Sequence, residues 1–205
     1  MPHLRYLWRV AASQDLPHIL AISDAVHPSL PEQPEVFAER LALFAQGVHV
    51  LALEPPPTRL NQPDREAAAQ AFETGAISDR PNEPFSGMSA LEPAIVGYGI
   101  CYPWILDHAP PLDTLFQALP DGADCLFIHD VALLPQARGQ KAGQRFTASA
   151  RGLAADHGLS HLALISVYES APFWRAQGFE TRTLPGGTAK LAAYGPTAQY
   201  MAATI

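Results

Sequence analysis

The chain has 205 residues, 48% of them hydrophobic, enough to bury one substantial core, so a single domain is the expectation. Its formal net charge of −7 at pH 7 argues against a general nucleic-acid binder and suits a cationic partner such as an amine. Cys101 and Cys125 both lie in apolar runs, no metal or disulfide spacing is visible, and neither a signal-peptide core nor a run of about 18 apolar residues occurs, so a soluble, cytoplasmic protein is expected.

The opening RYLWRVA reads as a strand. Ser13-Gln14-Asp15-Leu16 then reads as a helix start, with Ser13 as its cap and Leu16, Ile19, Leu20 and Val26 facing inward. A second helix is expected from about Pro34 to Gln46, with Val36, Phe37, Leu41 and Phe44 on one face and Gly47 ending it. VHVLALE and AIVGYGICYPW read as the next two strands. Between them, from Glu54 to Pro93, lies a proline-rich insertion, with a short helix expected over Asp64 to Phe72. It is either a lid or a tolerated surface insertion.

Next comes an apolar strand over 125 to 134, broken at Pro135 into the loop Arg138-Gly139-Gln140-Lys141-Ala142-Gly143. Ala142, Phe146, Ala150, Leu153 and Ala154 then recur at helical spacing, with Gly158 as the stop, which predicts a helix over 142 to 157. The loop therefore sits at a helix N-terminus, where free amides and the positive end of the dipole favour phosphate. A pyrophosphate would fit there, although an ordinary strand–turn–helix connection has the same glycines. A strand over 161 to 168, a short helix over 171 to 177 and a C-terminal strand pair, TRTLPGGTAKLAAYG and AQYMAATI, complete a mixed α/β pattern.

The succession VALLPQARGQKAG, HLALISVY and APFWRAQGFE resembles the GCN5-related N-acetyltransferase family over about residues 94 to 205. In that family a Gln/Arg-x-x-Gly-x-Gly/Ala loop cradles the pyrophosphate of acetyl-CoA, and Phe-Tyr-x-x-x-Gly-Phe follows one strand later. Arg138 opens the first motif and Gly143 closes it, with Lys141 where glycine is usual. A side chain at 141 fits an ordinary helical backbone in the first turn. Phe173 to Phe179 matches the second motif, with Trp174 in place of tyrosine.

The resemblance implies an α/β fold: a mixed, mostly antiparallel sheet splayed between two parallel strands and flanked by helices. One domain would span 1–205, with the insertion at about 54–93. It implies acetyl-CoA as cosubstrate, no metal, and an enzyme acetylating a primary amine by direct attack in a ternary complex. Val131, Ala132 and Leu133 would pair with the pantetheine arm, and Val131 or Leu133 would donate to the oxyanion. Arg138, Gly139, Gln140, Lys141, Ala142, Gly143 and Gln144 would hold the pyrophosphate. Ser170, Phe173 and Trp174 would line the same cleft.

Strand alternation places His129, Val131 and Leu133 on one face and Asp130 and Ala132 on the other. His129 is the expected base, matching locally an active-site histidine of arylalkylamine N-acetyltransferases, or else a histidine bonded within the sheet. Asp130 would attract the substrate cation. Tyr168 is the candidate acid for the leaving thiolate, since the indole of Trp174 has no proton to give. Tyr98 and Tyr102 share a face and would wall the acceptor pocket. His3, His18, His27, His49, His108, His157 and His161 are scattered without zinc spacing. The expected partner is a small-molecule or peptide amine, without nucleic acid or membrane, and exposed C-terminal strand edges suit a homodimer. The alternative is a non-catalytic acyl-CoA-binding sensor or regulatory module. A nucleotide-phosphate binder is disfavoured, because the loop lacks the Gly-x-x-x-x-Gly-Lys-Ser/Thr form.

Overall fold

Alternating apolar runs become seven strands in the computed structural model, which describes residues 5–54, 93–185 and 187–205. They are β1 (Arg5–Val10), β2 (Val48–Glu54), β3 (Ala94–Trp104), β4 (Cys125–Leu133), β5 (His161–Ser166), β6 (Glu180–Thr181) and β7 (Gln199–Thr204). Their order in one sheet is β1-β2-β3-β4-β5-β7-β6. Every pairing is antiparallel except β4 with β5. That parallel pair runs only from Cys125↔His161 to Ile128↔Leu164, after which the two strands part.

One face of the sheet carries α1 (Leu16–Val26) and α2 (Pro34–Leu43), which is shorter than the sequence suggests because Ala45–Gly47 turns as a 3₁₀ helix. Phe37 packs edge-on to Tyr98, and the Arg40 guanidinium lies over the Phe116 and Tyr102 rings, so Tyr98 and Tyr102 of β3 face these helices. The other face carries α3 (Ala142–Asp156), whose Phe146 ring occupies the space a side chain at Gly99 would need. Ser13 does not cap α1. A 3₁₀ turn over Ser13–Asp15 precedes it, and the buried Asp15 carboxylate accepts from the Ala12 amide (2.8 Å) and both terminal nitrogens of Arg9 (2.7 Å each).

Two further expectations shift. The short helix α4 spans Ala171–Arg175. The C-terminal pair keeps its last strand, but its first half forms only the two-residue β6, followed by a 3₁₀ stretch over Gly187–Tyr194. The insertion, with the helix expected over Asp64 to Phe72, falls outside the described residues. Among those residues no helix is long and apolar enough to cross a membrane.

Candidate active site

Where β4 and β5 part, a cleft of about 660 Å³ opens. Its floor is the end of β4, its far wall is β5 and α4, and its head is the start of α3. Beyond His129 the β4 backbone pairs with β3 on one side and, among the described residues, with no strand on the other, leaving alternate amide and carbonyl groups turned towards the cleft, where the Leu133 carbonyl accepts from Arg138 Nε (3.2 Å). Val131 and Leu133 line it, as do Arg138, Gly139, Lys141, Ala142, Gly143, Gln144, Ser170, Phe173 and Trp174. Ala132 is fully buried beside Tyr98, and neither it nor Gln140 lines the cleft.

The loop at the head of the cleft is held from outside. The Tyr6 hydroxyl donates to the Gln136 carbonyl (2.9 Å), the Trp8 indole to the Ala142 carbonyl (2.9 Å) and Arg145 to the Gln140 carbonyl (2.6 Å). Among the described residues the amides of 139 to 144 donate to no protein group, while those of Arg138 and Arg145 on either side do. Six unsatisfied donors at a helix start are the arrangement that favours an anion. Gly139 is left-handed (φ 75°), and so is Lys141 (φ 57°, ψ 20°). The expectation of an ordinary helical backbone at 141 is therefore overturned: the lysine takes the conformation that glycine adopts without cost, just before the first helical residue. A Cβ on Gly143 would stand 2.9 Å from the Phe173 ring, so glycine lets the helix start and that ring close on the same space.

A bulge sets the other half of the site. Ile100 pairs with Asp130 and Cys101 with Ile128, so His129 has no partner on β3. Alternation slips by one there. Phe127 and His129 lie against Tyr102, while Asp130 bonds Tyr98, so His129 and Asp130 face the same helices, and Val131 and Leu133 face away. The sequence-based split of these faces is corrected accordingly. Tyr98 and Tyr102 do share a face, yet both are buried and neither lines the cleft; each holds a site residue through its hydroxyl.

Two histidine–carboxylate pairs result. His129 Nδ1 is 3.1 Å from the Tyr102 hydroxyl, and its Nε2 is 2.7 Å from Glu32 Oε2, with both side chains almost wholly buried. Glu32 Oε1 accepts from the Asp113 amide (3.1 Å). Burial pushes the His129 imidazole down, but the charge and hydrogen bond of Glu32, with the Asp130 charge, outweigh it, and the net shift is upward. Burial likewise raises the Glu32 carboxyl, and the His129 charge and hydrogen bonds reverse that to a net lowering.

The second pair is His27, which closes α1, with Asp130. Nε2 lies 2.9 Å from Asp130 Oδ1, at ion-pair distance but off hydrogen-bond alignment. Tyr168, 47% exposed at the rim, stacks on the His27 ring (5.5 Å, 13°) and shares a hydrogen bond with Ser29 (2.8 Å), bridging β5 to the α1–α2 connection. Tyr168 and Glu169 are both left-handed, at φ 50° and 59°. Ser170 is held by Ser166 (3.0 Å).

His27, Ser29 and Glu32 are site residues that sequence reasoning missed. The available signal was the polar cluster HPSLPEQ between two amphipathic helices, which must turn back over the sheet. Cys101 and Cys125 are buried, and burial raises each thiol to about 12, so neither is a nucleophile. Among the described residues no cluster of histidine, cysteine and carboxylate side chains could hold a metal ion.

The model of the acetyltransferase (GNAT) family matches residues 47–179. Solved structures share the architecture. The loading GNATL domain of CurA from Lyngbya majuscula is 13% identical, with a TM-score of 0.64 over 98% of both chains. Ard1 from Thermoplasma volcanium is 11% identical, with a TM-score of 0.59 over 98% of this chain and 97% of that one. The N-acetylglutamate synthase from Neisseria gonorrhoeae, complexed with coenzyme A and N-acetyl-glutamate, is 17% identical, with a TM-score of 0.55 over 98% of this chain and 35% of that one. No curated protein sequence matches.

Proposed function

The chain belongs to the acetyltransferase (GNAT) family, and from that premise we propose that it transfers the acetyl group of acetyl-CoA to a primary amine by direct attack within a ternary complex. The reading rests on one observation: the free edge of β4 runs along a cleft that ends at six unsatisfied amides. Coenzyme A in the synthase supports it by analogy of fold.

Acetyl-CoA supplies an activated thioester. The amides of 139 to 144, with Arg138 and Lys141, are suited to its diphosphate, and the β4 edge to the amides of its pantetheine arm. The Val131 or Leu133 amide is the natural donor to an oxyanion formed beside that edge. On the acceptor side Asp130 and Glu32 give the site two carboxylates that favour a cation. Tyr168, a phenol on the rim, is placed to give a proton to the departing sulfur. The exit needs little help, because a thiolate is a good leaving group.

A thiol-release assay with acetyl-CoA across amine classes tests the proposal. Release is expected with at least one primary amine, and Tyr168→Phe should lower kcat by at most about 100-fold. Calorimetric binding of coenzyme A with no turnover against the whole panel would instead identify a sensor.

A further inference from the structure

We propose that His27, oriented by Asp130, is the catalytic base that deprotonates the incoming amine, and that His129 is a positioning residue. The proposal rests on the transferase reading above and assigns a proton path that the reading leaves open.

The two histidines stand side by side with opposite endowments. A base must present a ring nitrogen with a free lone pair to the substrate. His129 has none to present: Tyr102 takes Nδ1, Glu32 takes Nε2, and the side chain is only 3% exposed. His27 keeps Nε2 against Asp130, and its Nδ1, buried beside the inner pocket, has no hydrogen-bond partner among the described residues, so its lone pair is uncommitted. The ring lines both the main cleft and a small inner pocket that His129, Asp130, Glu32 and Tyr194 also line, so it stands where the two spaces meet.

Its placement is fixed from several elements. The His27 amide donates to the Ser23 carbonyl (2.7 Å) at the end of α1, and Tyr168 stacks on the ring while tied to Ser29. The titratable and charged groups facing it are Asp130 and His129 from β4, Glu32 from the α1–α2 connection, Tyr98 from β3 and Tyr168 beyond β5. Burial lowers the imidazole, but the close Asp130 carboxylate and the charge of Glu32 outweigh it, so the ring is more basic than usual. That direction suits a group that must take a proton from an ammonium.

Neutral His27 carries its proton on Nε2, towards Asp130. Nδ1 accepts one proton from R–NH₃⁺, giving imidazolium and R–NH₂. The amine lone pair forms the C–N bond to the acetyl carbon as the C–S bond breaks. The nitrogen's second proton ends on the sulfur, relayed by Tyr168, and His27 returns its own to solvent.

The test combines the pH dependence of kcat/KM with histidine-ring NMR titration, which needs no turnover. Wild type should show a rising limb with an apparent pKa above the ordinary 6.5, matched by one imidazole that disappears from the spectrum of His27→Gln. His27→Gln should lose the limb and at least about 100-fold in kcat, with the KM for acetyl-CoA within about twofold, since that cosubstrate's grip lies elsewhere. Asp130→Asn should move both the limb and the His27 resonance to lower pH. His129→Gln should reduce activity and keep the limb. Turnover with an unchanged limb in His27→Gln overturns the base alone, as does a His27 ring indifferent to Asp130→Asn. Absence of turnover in wild type removes the transferase reading and the base with it.

Discussion

At position 141 a lysine holds a backbone shape that a side chain resists. Its left-handed conformation costs about 1 kcal/mol, while its ammonium adds charge to the turn proposed to hold the diphosphate. Lys141→Gly should separate the two: the melting midpoint should rise, by roughly 1 kcal/mol in stability, while the dissociation constant for coenzyme A weakens by roughly threefold. Thermal denaturation and calorimetry on the same variant read both signs. If the two move together, the lysine contributes to only one of these properties. The charge was plain in the sequence. Its backbone angle was not, because a one-dimensional pattern cannot distinguish the first helical residue from the left-handed one just before it.

At the scale of elements, close approach decides which glycines can be replaced. A Cβ on Gly47 would run into the Cys101 carbonyl oxygen and the Phe44 ring, where α2 hands over to β2. Gly152, inside α3, has nothing within 4 Å of that point. Gly47→Ala should therefore lose about 3 kcal/mol, because a backbone carbonyl cannot step aside, and Gly152→Ala should gain about 1 kcal/mol from helix propensity. Urea unfolding of the two variants checks the contrast. Strands β1 to β5, both long amphipathic helices and the glycine-bearing turn before α3 were legible because their signals are local. What failed was non-local. Glu32 meets His129 across 97 positions of chain, Arg40 looks like a surface residue until its guanidinium is found over the Phe116 ring, and strict alternation could not reveal that one residue of β4 goes unpaired. The first half of the C-terminal pair failed for another reason, since Pro185 and the glycines after it leave only two residues joined to β7.

For the whole molecule, the paired histidines and carboxylates couple α1 and its following connection to the sheet, so stability should follow their titration. His27 and His129 are raised in the folded chain, so their contribution is fully present below the ordinary 6.5 and fades as pH climbs through the raised values. Glu32 is lowered, so its contribution is present above the ordinary 4.5 and fades as pH falls through the lowered value. These groups stabilise the fold most between about 4.5 and 6.5. The melting temperature should decline by several degrees from pH 6 to pH 9, and Glu32→Gln should flatten that decline; a wild-type profile level over this range would remove the coupling. The unpaired residue in β4 has a consequence of its own. It acts as a phase shifter in the reading of the chain, with apolar packing counted in one parity before it and polar chemistry in the other after it. Deleting a single codon at this point would leave hydropathy and length almost untouched. It would also leave every remaining residue on its present face, because Phe127, Asp130 and Ala132 would then alternate regularly; what would go is one of the two polar side chains that now stand next to each other towards the helices.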